Sequence, residues 1–254
     1  MKITFLGTGT SQGIPIISCE CAVCKSTDSK DKRLRTSVLI ETEGNTFVID
    51  AGPDFRQQML RTDVKILDAI IITHAHKDHV GGMDDVRAYN YSRKKPMDIY
   101  AEKNVLDYIR TKEYSYVFEE NPYPGVPQME LHEIENKPFE INKIKVIPIR
   151  GMHKDLPVLG FRIGKFAYIT DMNKISETEM QKLQNLNVFV INALRKTAHI
   201  SHFTLSEALE IIKKLKPQKS FLTHMSHNMG FHEVEQKLLP ENVYFAHDEL
   251  VVSV

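Results

Sequence analysis

Chemistry-bearing residues are concentrated in the stretch "AIIITHAHKDHVGG", which places His74, His76, Asp78 and His79 directly after a run of isoleucines. Side chains two residues apart in an extended segment project to the same side, so His74 and His76 can bind one cation. The chain then bends into a helical turn, which brings Asp78 and His79 towards a second position. Imidazole and carboxylate groups suit zinc, iron and manganese, so this cluster predicts a metal site.

A second metal-ligating pattern lies in "CECAVC", where Cys19, Cys21 and Cys24 have the spacing C-x-C-x-x-C. Three clustered cysteines are a poor framework for disulfides, and in a reducing compartment closely spaced cysteines more often bind a metal. A structural zinc takes four ligands, and His227, three residues after His224, is the candidate for the fourth. Without a metal, the same cysteines would be reduced surface thiols.

Histidines and an aspartate recur at the carboxyl ends of predicted strands. "LDAIIITHAH" is a buried strand that leads into the first cluster, and His153, Asp171 and His224 each follow another strand. Sites in α/β architectures assemble at these strand ends, so segments that are distant in sequence can converge on one cleft. A single histidine at a strand end is more often a hydrogen-bonded core residue. Taken one at a time, these three residues are therefore only possible ligands, and the case for them depends on their meeting the first cluster in the fold.

The elements that must position these residues follow from hydrophobic periodicity and turn signals. "TSVLIET" and "NTFVIDAG" flank "EGN" and predict a hairpin, as do "VLGFRIG" and "KFAYITDM". "PDFRQQMLR", "EKNVLDYIRTKEYSYVFEE", "SETEMQKLQNL" and "TLSEALEIIKKLKP" predict helices, and Thr204 with Glu207 predicts a capping box at the start of the last one. Early hairpins and later alternation predict packed sheets with helices outside, built as two similar halves.

Length and composition bound the class of protein. The chain has 254 residues and a formal net charge of +0, which argues against a basic nucleic-acid-binding footprint. We expect one domain over 1–254, with a zinc-binding cysteine loop at about 17–35. "MKITFLGTG" reaches glycine too early for a secretory signal, and no apolar run is long enough for a membrane span, so we expect a cytoplasmic protein.

The motif "THAHKDH" matches the T-H-x-H-x-D-H signature of the metallo-β-lactamase-fold hydrolases, which this chain resembles along its length. "FLGTGTSQGIP", "FVIDAGPDFR", "GMH", "YITD" and "LTHMSH" follow in that family's order. The resemblance implies an α+β fold, a four-layer αββα sandwich with a dinuclear site at one edge. It further implies one metal held by His74, His76 and His153, and another held by Asp78, His79 and His224, with Asp171 bridging.

Asp50, in "VIDAG", lies where this family often has a carboxylate that orients a ligand imidazole; an aspartate that only caps a turn before Gly52 is an equal alternative.

His202, in His202-Phe203-Thr204, matches an H-x-T histidine that acts near the scissile phosphate in the related tRNA-maturing endonucleases. It could protonate the leaving oxygen or stabilise the developing charge, or only begin the helix. His199 is a weaker candidate, for a substrate contact.

The cysteine loop narrows the resemblance to the phosphodiesterase branch, typified by the enzyme that opens a phosphoribosyl cyclic phosphate in phosphonate breakdown. We therefore expect a metal-dependent phosphodiesterase that cleaves a small, cyclic ribose or nucleotide diester through a hydroxide shared by two zinc or manganese ions. Catalytic roles would fall to Asp78 and His202, and a third, structural zinc would hold the loop. The alternatives are a thioester or lactone hydrolase on the same scaffold and a non-enzymatic, metal-stabilised binding protein.

The expected partner is a small-molecule phosphodiester, with neither a membrane nor a nucleic acid. Homodimers are common among proteins that this chain resembles, so a homodimer is part of the expectation.

Overall fold

Two β-sheets packed face to face form the centre of the computed structural model, which describes residues 1–254. The strands of the first sheet are β1 (Lys2–Gly7), β2 (Ser37–Thr42), β3 (Asn45–Ile49), β4 (Ala69–Ile71), β5 (Met97–Ala101), β6 (Met129–Glu133) and β15 (Val251–Ser253). They lie in the order β15-β1-β2-β3-β4-β5-β6. The β1–β2–β3 part is antiparallel, whereas β3, β4, β5 and β6 run parallel to one another.

The second sheet contains the later strands. They are β7 (Phe139–Ile141), β8 (Ile144–His153), β9 (Leu156–Ile163), β10 (Phe166–Ile169), β11 (Lys174–Ile175), β12 (Val188–Asn192), β13 (Lys219–Thr223) and β14 (Val243–Phe245). The order is β11-β8-β9-β10-β12-β13-β14, and β7 pairs with β8. Like the first sheet, it starts with antiparallel hairpins and continues with parallel strands, here β10, β12, β13 and β14.

Helices cover the outer faces of both sheets. They are α1 (Ala22–Lys25), α2 (Phe55–Thr62), α3 (Lys77–Val80), α4 (Arg87–Arg93), α5 (Lys103–Tyr108), α6 (Glu177–Gln181), α7 (Leu205–Leu215) and α8 (His232–Gln236). The predicted capping box at the start of α7 is confirmed, since Thr204 and Glu207 each bond the other's backbone. None of the helices combines the length and the apolar composition that crossing a bilayer requires.

Three hydrophobic clusters of 22, 20 and 20 buried residues separate four layers, one between the sheets and one on each outer face. The position of strand β2 between two hydrophobic clusters explains why its sequence contains an unbroken apolar run. Val38 and Ile40 enter the cluster between the sheets, whereas Leu39 enters the cluster under the helices, because successive side chains point to opposite faces. The predicted αββα sandwich is confirmed.

The middle of the chain departs from the sequence-based expectation. Strands β5 and β6 go beyond the sequence-based expectation, and for β6 the reason is that "MELHE" is half-buried at the sheet edge and carries no apolar run. The stretch predicted as one long helix is instead α5, a π-helical turn at Ile109–Glu113 and a 3₁₀ turn at Ser115–Val117. Helix α6 is also shorter than its pattern indicated. The single-domain assignment stays a prediction.

Replacing Phe161 by alanine tests the packing between the sheets. The Phe161 side chain is fully buried in the central cluster, so the cavity should lower the free energy of unfolding by about 3–5 kcal/mol. Urea denaturation measures this difference. Leu238→Ala is the control, because Leu238 is 73% exposed and its loss should cost less than about 0.5 kcal/mol. Equal losses in the two variants would contradict the assigned core.

Candidate metal and active site

Parallel strands bring the candidate ligands to one edge of the sandwich. Asp50 and His74 follow β3 and β4, while Asp171 and His224 follow β10 and β13. Three of these residues have left-handed backbone conformations, with φ of 65° at Asp50, 53° at Asp171 and 57° at His224. Such conformations are uncommon outside glycine and collect at functional sites, and here the chain reverses where each side chain enters the cluster.

One group of four side chains surrounds a common point. The Nε2 atom of His79 lies 3.2 Å from an oxygen of Asp78 and 3.4 Å from one of Asp171. The Nε2 atom of His224 lies 2.9 Å from Asp171 and 3.8 Å from Asp78. Ligands about 2.1 Å from a tetrahedral ion would lie roughly 3.4 Å apart, so these spacings suit the edges of a coordination shell.

A second group adjoins the first through Asp171. His74 Nε2 lies 3.0 Å from His76 Nδ1 and 3.7 Å from an Asp171 oxygen. The ring of His153 is centred 5.1 Å from that of His76 and 5.7 Å from that of His74. Because Asp171 belongs to both groups, its carboxylate lies between them, where the predicted bridging role would require it.

Asp50 supports the first group from behind. Its carboxylate accepts a hydrogen bond from His79 Nδ1 at 2.7 Å, and the backbone N–H and hydroxyl of Thr73 donate to the same group. This fixes the tautomer of His79 and directs its Nε2 atom into the cluster. The contact favours the orienting role of Asp50 over the turn-capping alternative.

The charges of the cluster fit divalent cations. Despite burial, His224 and His79 hold the pKa of Asp171 well below its ordinary value, and His79 does the same for the pKa of Asp78. Also against burial, Asp78, Asp171 and Asp50 raise the pKa of His79 well above its ordinary value, and Asp171 raises the pKa of His224 to about 9. The carboxylates therefore stay anionic and require positive charge, which divalent cations would supply while releasing the imidazole protons.

Unpartnered nitrogens point to the same conclusion. The Nε2 atoms of His79 and His224 are buried and make no aligned hydrogen bond, although both lie near Asp171. Buried polar atoms in folded proteins nearly always have a partner. Two such atoms facing one pair of carboxylates are what a metal-ligating cluster presents, so the residues fit the cations that the sequence predicted.

His202 lies beside the cluster and outside the two predicted ligand sets. Its ring is centred 4.6 Å from that of His153 and 4.8 Å from that of His224, and its Nδ1 atom is buried without a hydrogen-bond partner. Burial and the neighbouring His224 lower the pKa of His202 to about 3, so the ring is neutral at pH 7. The half-buried His199 ring follows at 5.1 Å from His202, on the side away from the core.

The cysteine loop forms a separate group of four. His227 Nδ1 lies 3.3 Å from the sulfurs of Cys19 and Cys21 and 3.5 Å from that of Cys24. Sulfur and nitrogen ligands of a tetrahedral zinc are about 3.5 Å apart, so the spacing suits the predicted Cys₃His site. Cys24 is buried, Cys19 is half-buried and Cys21 is exposed, so the group reaches from the interior to the surface of the protein.

The structure thus brings together every residue that the sequence put forward. The seven active-site candidates share one edge, His202 adjoins them, and the cysteines meet His227; their roles as ligands and catalysts stay predictions. Sequence reasoning missed Ser201, whose carbonyl lies 2.9 Å from His153 Nδ1 and orients that ring. No sequence signal marks a backbone carbonyl as such a partner.

Comparisons with known proteins identify the class. Residues 45–225 match the family described as the beta-lactamase superfamily domain. The chain superposes on the crystal structure of a diphosphatase from the PhnP family with a TM-score of 0.93 and 36% identity, over 100% of this chain and 97% of that one. The chain therefore belongs to the beta-lactamase superfamily, and the predicted family, the metallo-β-lactamase-fold hydrolases, is confirmed.

Two curated relatives extend the comparison. An octanoyltransferase of Porphyromonas gingivalis is 43% identical over 253 residues, which cover 98% of this chain and 51% of that protein. A ribonuclease Z of Methanococcus maripaludis is 28% identical over 200 residues, which cover 74% of this chain and 54% of that protein. The chain spans about half the length of these relatives.

Replacing Asp50 by asparagine tests whether it orients His79. The amide can still accept a hydrogen bond, but the loss of charge behind His79 should weaken active-site metal binding by about 10–100-fold. Titration of metal-depleted protein with Mn²⁺ measures the affinity. Asp107→Asn, a change on the exposed face of α5, is the control and should bind as the wild type does. An unaltered Mn²⁺ affinity in D50N would mean that Asp50 only shapes the turn.

Replacing Cys21 by serine tests the structural zinc. Removal of one thiolate from a four-ligand site should lower the zinc content by about one ion per chain and lower the melting temperature. Elemental analysis and calorimetry measure the two effects. Glu20→Gln, at an exposed position between the ligands, is the matched control. Full zinc content with unchanged melting in C21S would rule out a structural metal in this loop.

Proposed function

We propose that the chain is a metal-dependent phosphodiesterase that hydrolyses a small phosphodiester, such as a cyclic ribose phosphate or a nucleotide. The observation that carries the proposal is the convergence of six ligand-type side chains on Asp171, with the neutral His202 beside them. The full-length likeness to a PhnP-family diphosphatase supports cleavage at phosphorus. The likeness to a protein named ribonuclease Z supports a phosphodiester as the bond that is cleaved.

The proposed ligands divide into two sets around Asp171. His74, His76 and His153 would hold one cation, and Asp78, His79 and His224 the other. When bound, zinc or manganese ions would neutralise the charge of a phosphate and lower the pKa of a water molecule.

Asp78, besides its role as a ligand, and His202 take part in the reaction itself. The Asp78 side chain is 12% exposed while that of Asp171 is 3% exposed, so Asp78 faces the cleft and can accept a hydrogen bond from the attacking water. His202 reaches the cleft as a neutral ring that can donate an N–H to the leaving oxygen. Negative charge on a bound phosphate favours the protonated ring, which can then transfer a proton to that oxygen.

Acyl chemistry is the second candidate, because the chain is 43% identical to half of a protein named as an octanoyltransferase. The same constellation of side chains could act on the carbonyl of a thioester or lactone. A non-catalytic binding protein is less well supported, since degeneration would be expected to remove ligands and none is missing.

We also propose a small-molecule substrate and a structural zinc at the cysteine loop. The net charge of +0 supports a small molecule over a nucleic acid. The spacing of His227 from the three sulfurs supports the zinc. A homodimer and a cytoplasmic location complete the proposal.

A paired assay separates the two chemistries. The wild-type protein, loaded with Zn²⁺ or Mn²⁺, should hydrolyse bis-p-nitrophenyl phosphate or a cyclic nucleotide, and a chelator should abolish the activity. An octanoyl thioester is the competing substrate. Turnover of the thioester with none of the phosphodiesters would replace the proposal by its alternative, and no metal-dependent turnover of either would favour a binding protein.

Replacing His202 by alanine tests its role. Loss of a positioned proton donor should lower kcat for bis-p-nitrophenyl phosphate by about 10²–10⁴-fold, because the leaving oxygen departs without assistance. Metal content should stay at the wild-type level. His132→Ala is the control, since His132 pairs with Asp98 far along the first sheet and should leave kcat unchanged. Wild-type turnover by H202A would remove the histidine from the mechanism.

A further inference from the structure

The turn that carries Asp78 and His79 is too short to hold its own shape. Helix α3 has four residues and runs into the glycine pair at 81–82. Isolated helices of this length are unstable in water, so the position of the two side chains depends on what packs against the turn. The geometry of the second group of ligands is therefore a property of the neighbouring segments.

One side of the turn is held by the segment after β3. Ala51 N–H donates to His79 O at 2.8 Å, and Gly82 N–H donates to Ala51 O at 2.8 Å. The backbones touch so closely that a Cβ atom on Gly52 would lie 1.9 Å from Asp78 O. This side leaves no free volume for the turn to shift towards the sheet.

The end of the turn is also held by a buried side-chain hydroxyl. Tyr114 is 3% exposed, and its hydroxyl donates to Val80 O at 2.7 Å while accepting from Met83 N–H at 2.9 Å. Val80 directly follows His79. The hydroxyl bridges a carbonyl and an N–H three residues apart, which a continuing 3₁₀ turn would bond to each other.

A π-helical turn delivers that tyrosine. Ile109–Glu113 is wound as a π-helix, and Tyr114 N–H bonds Ile109 O at 2.9 Å. The neighbours of Tyr114 contact the same segment, because Glu113 pairs with Lys77 and Tyr116 bonds Asp84. Single π turns within helices frequently occur at functional sites. Contacts to residues 77–84 therefore come from Glu113, Tyr114 and Tyr116, at the end of the π turn and just after it.

We propose that Tyr114 is a positioning residue that holds the α3 turn in the geometry with which Asp78 and His79 bind a cation. The inference rests on the proposed dinuclear site and assigns a role to a residue about 35 positions further along the chain. Without the hydroxyl, Val80 O and Met83 N–H lose their buried partner, and relaxation of the turn displaces both ligands together. His74 precedes the turn and His153 lies on β8, while His76 is the N-cap of α3, at the end of the turn away from the Tyr114 hydroxyl, so the geometry of these three should change less.

Tyr114→Phe removes the hydroxyl and keeps the ring. Mn²⁺ titration of protein depleted at the active site should give two binding events in the wild type, since thiolates select zinc and leave the cysteine site out of the measurement. In the variant, the Mn²⁺ dissociation constant should rise about tenfold for one event and clearly less for the other. Amide exchange at Met83 should also become faster.

Tyr89→Phe is the matched control, because Tyr89 also donates its hydroxyl to a backbone carbonyl, that of Val64, at 3.1 Å. It should leave both Mn²⁺ affinities unchanged even where it lowers the melting temperature. A Tyr114→Phe protein that melts earlier but binds two Mn²⁺ ions with wild-type affinities would overturn the inference and leave the proposed function standing. A wild-type protein that binds no Mn²⁺ would overturn both.

Discussion

The edge of the sandwich that carries the candidate ligands depends on the negative charge that the fold buries at Asp171. Its carboxylate lies within 3.7 Å of nitrogens from His74, His79 and His224, and its side chain is 3% exposed. Burial of an unpaired carboxylate is costly, so the surrounding groups must provide positive charge, either as protons on imidazoles or as metal ions. This one requirement links the stability of the edge to its capacity to bind cations, and every ligand segment is arranged around it.

The two sheets meet at this edge, which is why residues from both can share one site. Leu159 N–H in the second sheet donates to Thr73 O at 3.1 Å, immediately before His74 in the first sheet. Met225 N–H and Thr8 O form a similar link at 3.0 Å, next to His224. The cysteine loop joins the same region through His227, which lies three positions after His224, so the predicted zinc and the active-site edge are close neighbours in the chain.

Family membership describes the scaffold, whereas the reaction is a property of the site. Relatives with the same architecture carry names as different as diphosphatase, ribonuclease and octanoyltransferase. The last of these is about twice as long as the part that this chain matches, so its name describes a larger protein. The constellation around Asp171 and the neutral ring of His202 are for this reason the better guide to chemistry than any single relative.

The sequence by itself determined two local clusters of candidate ligands, because "THAHKDH" and "CECAVC" put metal-binding side chains at spacings that few other structures would require. It also determined most strands and the cap of α7, since period and turn signals are local. It could not determine that Ser201 O would orient His153 or that Tyr114 would reach Val80, and only the family resemblance, not local spacing, implied the place of Asp171 between the two groups. Those contacts join segments far apart in sequence, and only the packing of two sheets and a π-helical turn sets the distances between them.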